Sequence, residues 1–279
     1  MPEGRRDDTA LLLAGHGLAT HPDGAVPVFR HAETLRNLGR FADVRAGFLR
    51  QEPELSETLA ELTQPRVYVV PMLASKGYIS DTAMAGRLEL SGPVTRRTID
   101  GRDREIRFCD PVGTHPDIPV LLARRIENLC RGERLAPEAT EIVLAGHGTP
   151  RTPESAARTR DVAARLTQAA GNIAAGVHAF LLEEDPLIDV WAEQTRAPNI
   201  VVAPFLMANW YHGSEDLPGR IGLDPDDEDL KRLVHESGIA GPYPVDGRRV
   251  WYLSPLGHEP EIAGLALAMV ETFDEAHEM

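Results

Sequence analysis

Leu11-Leu12-Leu13-Ala14-Gly15-His16-Gly17, an apolar run ending in a glycine-flanked histidine, returns 131 positions later as Ile142-Val143-Leu144-Ala145-Gly146-His147-Gly148. Three more blocks repeat in the same order. Gly47-Phe48-Leu49 with Pro53 is answered by Ala179-Phe180-Leu181 with Pro186, and Val67-Tyr68-Val69-Val70-Pro71-Met72 by Ile200-Val201-Val202-Ala203-Pro204-Phe205. Cys109-Asp110-Pro111-Val112-Gly113-Thr114-His115-Pro116 is answered by Leu253-Ser254-Pro255-Leu256-Gly257-His258-Glu259-Pro260, where the offset has grown to 144. Ordered self-similarity of this kind marks a duplicated domain. The expected division is 1–138 and 139–279, with the junction in the polar segment Gly132–Thr140 and an insertion in the second copy at about 219–249.

Within each copy, short continuous Val/Ile/Leu runs read as parallel strands buried on both faces. Helical stretches lie between them at Val28–Leu38, Leu55–Leu62, Ser155–Ala169 and Pro186–Glu193, with Ser56 and Asp185 as candidate caps. That alternation predicts an α/β fold of two tandem units, each a parallel sheet flanked by helices. The insertion carries Asp224-Pro225-Asp226-Asp227-Glu228-Asp229 and ends in Gly241-Pro242-Tyr243-Pro244, which reads as a loop with one short helix.

The 279 residues carry 29 Lys/Arg against 43 Asp/Glu, a net charge of −14, which argues against nucleic acid or an anionic membrane as partner. Residues 1–138 sum to −1 and residues 139–279 to −13, an asymmetry that suits attraction of a cation by the second copy. Two cysteines, Cys109 and Cys130, are too few for a disulfide framework or a Cys-rich metal site. Met1–Ala10 is polar and the apolar run after it is short, so neither a signal h-region nor a membrane span is expected. A cytoplasmic protein, monomeric or weakly homo-oligomeric, is the expectation.

In parallel α/β sheets ligands gather beyond the carboxyl ends of the strands. His16 and His147 follow the first strand of their copies, and His212 follows the third strand of the second copy, so His147 and His212 fall at one end of one sheet. Tyr78 matches Tyr211, while Ile79 stands where His212 does; the first copy lacks the second histidine. Two imidazoles across a cleft suit Co, Ni, Zn or Fe and serve equally as proton acceptors. Gly146 and Gly148 would let a flat ligand approach the backbone. Glu183-Glu184-Asp185, and Glu215 with Asp216, either guide a cation or favour a helix start. His115 and His258 do not align with each other and read as peripheral. The sequence holds no phosphate-binding glycine loop, no nucleophile elbow and no His-Glu-x-x-His. Gly-His-Gly also has a superficial likeness to phosphohistidine enzymes, but no arginine precedes His147 to hold a phosphate.

Taken together these motifs resemble the class II tetrapyrrole chelatases, in particular the CbiX-type sirohydrochlorin chelatases. The resemblance rests on the two Gly-His-Gly strands, on Phe180-Leu181 with Asp185-Pro186, on His212-Gly213-Ser214-Glu215-Asp216-Leu217-Pro218, and on the Pro-x-Gly blocks at 111–116 and 255–260. It covers most of the chain, twice.

The resemblance implies two chelatase-like α/β domains and insertion of a divalent metal into a tetrapyrrole without ATP or organic cofactor. Cobalt into sirohydrochlorin is the first expectation. Fe2+, Ni2+ or Zn2+, another tetrapyrrole, the sirohaem branch, or a non-catalytic metal or tetrapyrrole carrier are the alternatives. Carried over by position, His147 and His212 would bind metal and accept pyrrole protons, with His16 and Glu183 as further metal candidates. Gly146, Gly148, Tyr78 and Tyr211 are the expected substrate contacts. The family's glutamate after Phe-Leu aligns with Leu182, one place before Glu183. Lys76, Arg87, Arg151 and Arg220 are candidate partners for the macrocycle's carboxylates.

Overall fold

The computed structural model describes residues 6–208, 211–233, 235–236 and 238–277. The chain forms two compact units. One takes the chain up to His115 and again from Pro260, and the other is Pro116–Glu259.

In the first unit the strands are β1 (Arg6–Gly15), β2 (Phe41–Phe48), β3 (Arg66–Pro71), β4 (Val94–Ile99) and β5 (Arg102–Phe108). They form a sheet ordered β2-β1-β3-β5-β4, parallel except for the antiparallel edge hairpin β4–β5. Helices α1 (Val26–Asn37), α2 (Leu55–Glu61) and the short α3 (Ala85–Arg87) follow β1, β2 and β3. Leu11, Leu12 and Leu13 are wholly buried, each contributing roughly 1.5–3 kcal/mol of apolar burial. Alternation sends Leu12 with Val67 and Val69 toward Leu55 and Leu59 of α2.

The second unit opens with α4 (Ile118–Gly132) and repeats the plan with β6 (Thr140–Gly146), α5 (Glu154–Ala169), β7 (Gly176–Leu181), α6 (Trp191–Gln194) and β8 (Asn199–Phe205). There follow α7 (Leu217–Arg220), α8 (Glu228–Arg232), β9 (Ile239–Val245) and β10 (Arg248–Leu253). Its sheet order, β7-β6-β8-β10-β9, is that of the first sheet, again with one antiparallel hairpin. The last helix, α9 (Glu261–His277), belongs to the first unit.

The expected fold class stands, with revisions of detail. The helices that end the two repeats are exchanged. Helix α4, written in the first repeat, packs on α5, and α9, written in the second, packs on α1 and β3. The expected junction at 138/139 therefore falls inside the second unit, after α4. Buried polar contacts fix the exchange. Asp274 of α9 accepts from Arg6 (2.7 Å), Arg107 (2.8 Å) and the Tyr68 hydroxyl, and Phe273 meets the Tyr68 ring edge-on. Arg125 of α4 donates to the Ser254 carbonyl (3.1 Å) and hydroxyl (2.9 Å) and pairs with Glu259 at 2.9 Å.

The exchange also removes the charge asymmetry. Counted by unit, the first carries 15 Lys/Arg against 21 Asp/Glu (−6) and the second 14 against 22 (−8). The acidity of residues 139–279 was partly that of α9, which lies elsewhere. In the expected insertion, Ile239–Val245 is β9, the counterpart of β4, so the added chain lies between α7 and β9 and holds α8. Glu54 rather than Ser56 caps α2: its carboxylate accepts from the amides of Ser56 (2.6 Å) and Glu57 (3.0 Å). Asp185 caps no helix, because the next turn starts at Ile188. Among the described residues no helix is long and apolar enough to cross a membrane.

Candidate metal centre

His147 is the first residue past β6, and its surroundings explain the glycines beside it. A Cβ on Gly146 would sit 2.1 Å from Thr159 Oγ1, so only glycine lets α5 lie this close to the strand end. Gly148 has φ +67°, in the left-handed region, and turns the chain back over β7. The His147 carbonyl accepts from the amides of Leu182 (2.9 Å) and Glu183 (3.1 Å), which fixes the loop after β7 beside it.

Opposite, His212 opens a π-helical turn, His212–Asp216, which leads into α7. Such turns widen a helix by one residue and recur at functional sites. Buried Tyr252 of β10 pins this one by donating its hydroxyl to the Gly213 carbonyl at 2.7 Å, and burial pushes that hydroxyl's pKa well up. Nothing in the sequence singles out Tyr252, which reads there as one more apolar residue of a strand.

The two imidazole rings meet edge to face, centroids 4.8 Å apart at 81°. His147, Glu183 and His212 each offer a ligand atom, and the three atoms lie within 4.8 Å of one another. All three side chains are partly open to solvent. His212 Nδ1 lies 2.9 Å from Asp216 Oδ2, and His147 Nδ1 lies 2.6 Å from the Gly148 carbonyl oxygen. Those oxygens only accept, so each Nδ1 is a donor, and in the neutral ring Nε2 is the nitrogen that offers a lone pair to a cation. The chemistry available is cation capture by two neutral nitrogens and one carboxylate, a set suited to borderline divalent metals.

The structure thus brings together His147, His212 and Glu183 of the expected residues. Glu184 instead holds the histidine loop, its Oε1 accepting from the Thr149 amide at 2.9 Å. Tyr211, 46% exposed, stands with its ring 5.5 Å from that of His212; Asn209 and Trp210 lie outside the described residues. His16 and Tyr78 belong to the first unit. Cations expected to meet carboxylates are engaged within the chain. Arg220 binds Asp189 and the Leu182 carbonyl, Arg87 binds Glu54, and Lys76 binds Asp110 at 2.7 Å. His115 and His258 are buried and are not members of the cluster.

The chain matches the CbiX family twice, over residues 10–129 and 141–272. A protein of Halobacterium salinarum named "Probable sirohydrochlorin cobaltochelatase" is 29% identical over 92% of this chain and 89% of its own length. Among solved structures, DR2241 of Deinococcus radiodurans, described as a multi-domain protein with structural similarity to chelatases, is 26% identical with a TM-score of 0.69 over 95% of this chain. The present chain spans 54% of that protein. SirB of Bacillus subtilis, 17% identical, shares the fold with a TM-score of 0.67 over 97% of both chains. Two matches in tandem, over two sheets of identical strand order, establish that the chain belongs to the CbiX family of chelatases.

Proposed function

We propose that this chain inserts a divalent metal, cobalt first, into sirohydrochlorin, working in the cytoplasm on two small-molecule substrates, the macrocycle and the ion. The observation that carries the reading is the His147–Glu183–His212 cluster at the carboxyl end of a parallel sheet. Insertion exchanges two pyrrole N–H protons for one cation. Three protein donors leave coordination positions open to the ring nitrogens, so the ion can pass from side chains to macrocycle. As it leaves, the two Nε2 atoms and the Glu183 carboxylate become proton acceptors within reach of the ring. Holding ion and ring together supplies proximity. Tyr211 offers a flat exposed face beside His212, and Gly146 and Gly148 keep the approach to His147 free of side chains.

The choice of cobalt is supported by the name of the Halobacterium relative, and SirB structures are described with Fe3+ and with cobalt. An anaerobic absorbance assay of sirohydrochlorin with Co2+, Fe2+, Ni2+ and Zn2+ in turn tests the reading. Catalysed insertion, fastest with cobalt and abolished in His147→Ala and His212→Ala, is expected. Stoichiometric binding with no rate above the spontaneous reaction would instead make the protein a carrier.

A further inference from the structure

The two units keep one backbone plan at their strand ends and differ in the charge placed on it. Arg50 donates its amide to the His16 carbonyl at 3.0 Å, as Glu183 does to that of His147 at 3.1 Å. Gly17 and Gly148 share a left-handed φ, +68° and +67°. Gln51 Oε1 accepts from the Leu18 amide at 3.1 Å, as Glu184 Oε1 accepts from that of Thr149. The first unit therefore preserves the loop and holds it with a neutral amide. Gly15 pairs with Phe48 and Gly146 with Leu181, so the structure shifts the expected Phe-Leu match by one residue and sets Arg50 at the place of Glu183, with Ile79 at that of His212.

Loss of a metal site needs only the loss of its ligands; here a carboxylate has become a guanidinium. Arg50 is exposed, and its guanidinium makes no hydrogen bond or ion pair among the described residues. Arg45, Arg87, Arg97 and Arg107 of the same unit are all paired with carboxylates. The same unit exposes two aromatics. Phe29, 43% exposed, packs at 5.1 Å on Phe48, and Tyr78 precedes Ile79. The second unit has Arg160 where Phe29 stands, with its guanidinium on the Asp185 carbonyl. A planar fork of donors left open to solvent matches a carboxylate, which it can hold by two parallel hydrogen bonds.

We infer that the strand-end loops of the first unit form a carboxylate-binding site anchored by Arg50, which takes a carboxylate side chain of the tetrapyrrole substrate. This rests on the chelatase reading for the identity of the ligand and not for the site itself.

The test is binding without turnover, on the full chain. Metal-free sirohydrochlorin, titrated anaerobically and followed by absorbance, is expected to bind Arg50→Gln about tenfold more weakly, the size of one lost charge-assisted hydrogen bond, and Arg50→Lys nearly as well as the parent. Co2+ alone, followed by calorimetry, is expected to bind Arg50→Gln as it binds the parent, one ion per chain. Unchanged sirohydrochlorin affinity in Arg50→Gln overturns the inference. So does loss confined to inorganic phosphate, which would make the site one for a free oxyanion. A second arm restores the ligands: Arg50→Glu with Ile79→His is expected to raise Co2+ stoichiometry from one to two, and no gain in a chain of native circular dichroism overturns the shared geometry. His147→Ala is expected to keep Arg50-dependent sirohydrochlorin binding. Such binding in a parent chain that inserts no metal would sink the chelatase reading and leave this one standing.

Discussion

Asp216 holds His212 by a 2.9 Å hydrogen bond to Nδ1, one turn along the same π-helical segment, and so decides which nitrogen of that ring faces a cation. Replacing Asp216 by Ala frees the ring to rotate and to exchange tautomers. Partners of this kind typically carry 10–100-fold in metal affinity. Co2+ titration of Asp216→Ala is expected to show a loss in that range with the circular dichroism unchanged. Equal affinity would mean that packing alone orients the ring.

Gly148→Ala should strain the histidine loop. An L-residue in the left-handed region costs roughly 1–2 kcal/mol, and the new Cβ would press on Leu181 and Glu184 at 3.0 Å. A lower melting temperature together with weaker Co2+ binding is expected, because the same turn aims His147. At Gly247, equally left-handed but with open space around it, alanine should lower stability and leave Co2+ affinity alone.

The helix exchange predicts that anchors named in one repeat stabilise the sheet of the other. Asp274→Ala removes the acceptor of Arg6, Arg107 and Tyr68 and should cost about 3 kcal/mol, the low end of the partner-removal range for buried ion pairs because this one is partly open to solvent. Amide hydrogen exchange is then expected to quicken in β1 and β3 while β6 and β8 keep their protection. Arg125→Ala, which takes the guanidinium away from Ser254 and Glu259, should do the reverse. Matched losses in both sheets from either variant would contradict the assignment of α4 and α9.

The same cluster sets a pH dependence with a definite sign. Burial alone would raise the Asp274 carboxyl, but the Tyr68 hydroxyl and the guanidinium groups of Arg6 and Arg107 hold it below the usual range. Its contribution is complete above the unfolded carboxyl value of about 4 and is lost as pH falls through the lower native value. Burial and Asp274 push the Tyr68 hydroxyl up to about 12. That contribution is complete below about 10, the unfolded tyrosine value, and disappears as pH rises through about 12. Urea unfolding across pH should show both limbs. Asp274→Asn is expected to flatten the acid one and Tyr68→Phe the alkaline one.

The duplication, the parallel α/β character of both units and the placing of His147 and His212 at one strand end were determined by the sequence itself. These features are local: a continuous apolar run is a buried strand wherever it packs, and a residue just past it must lie at the carboxyl edge. Only the resemblance singled out Glu183; the local sequence of Glu183-Glu184-Asp185 does not say which carboxylate turns toward the histidines. That depends on the backbone bond from Glu183 to His147 and on the return of Gly148, which aim adjacent side chains differently. The exchange of α4 and α9 was equally hidden, because an amphipathic helix specifies an apolar face and not which of two similar sheets will cover it. That choice was made by Asp274 with Arg6, Tyr68 and Arg107, and by Arg125 with Ser254 and Glu259, contacts between residues distant in the chain. Tertiary structure alone therefore set the boundaries of the units, and with them where the charge of the chain resides.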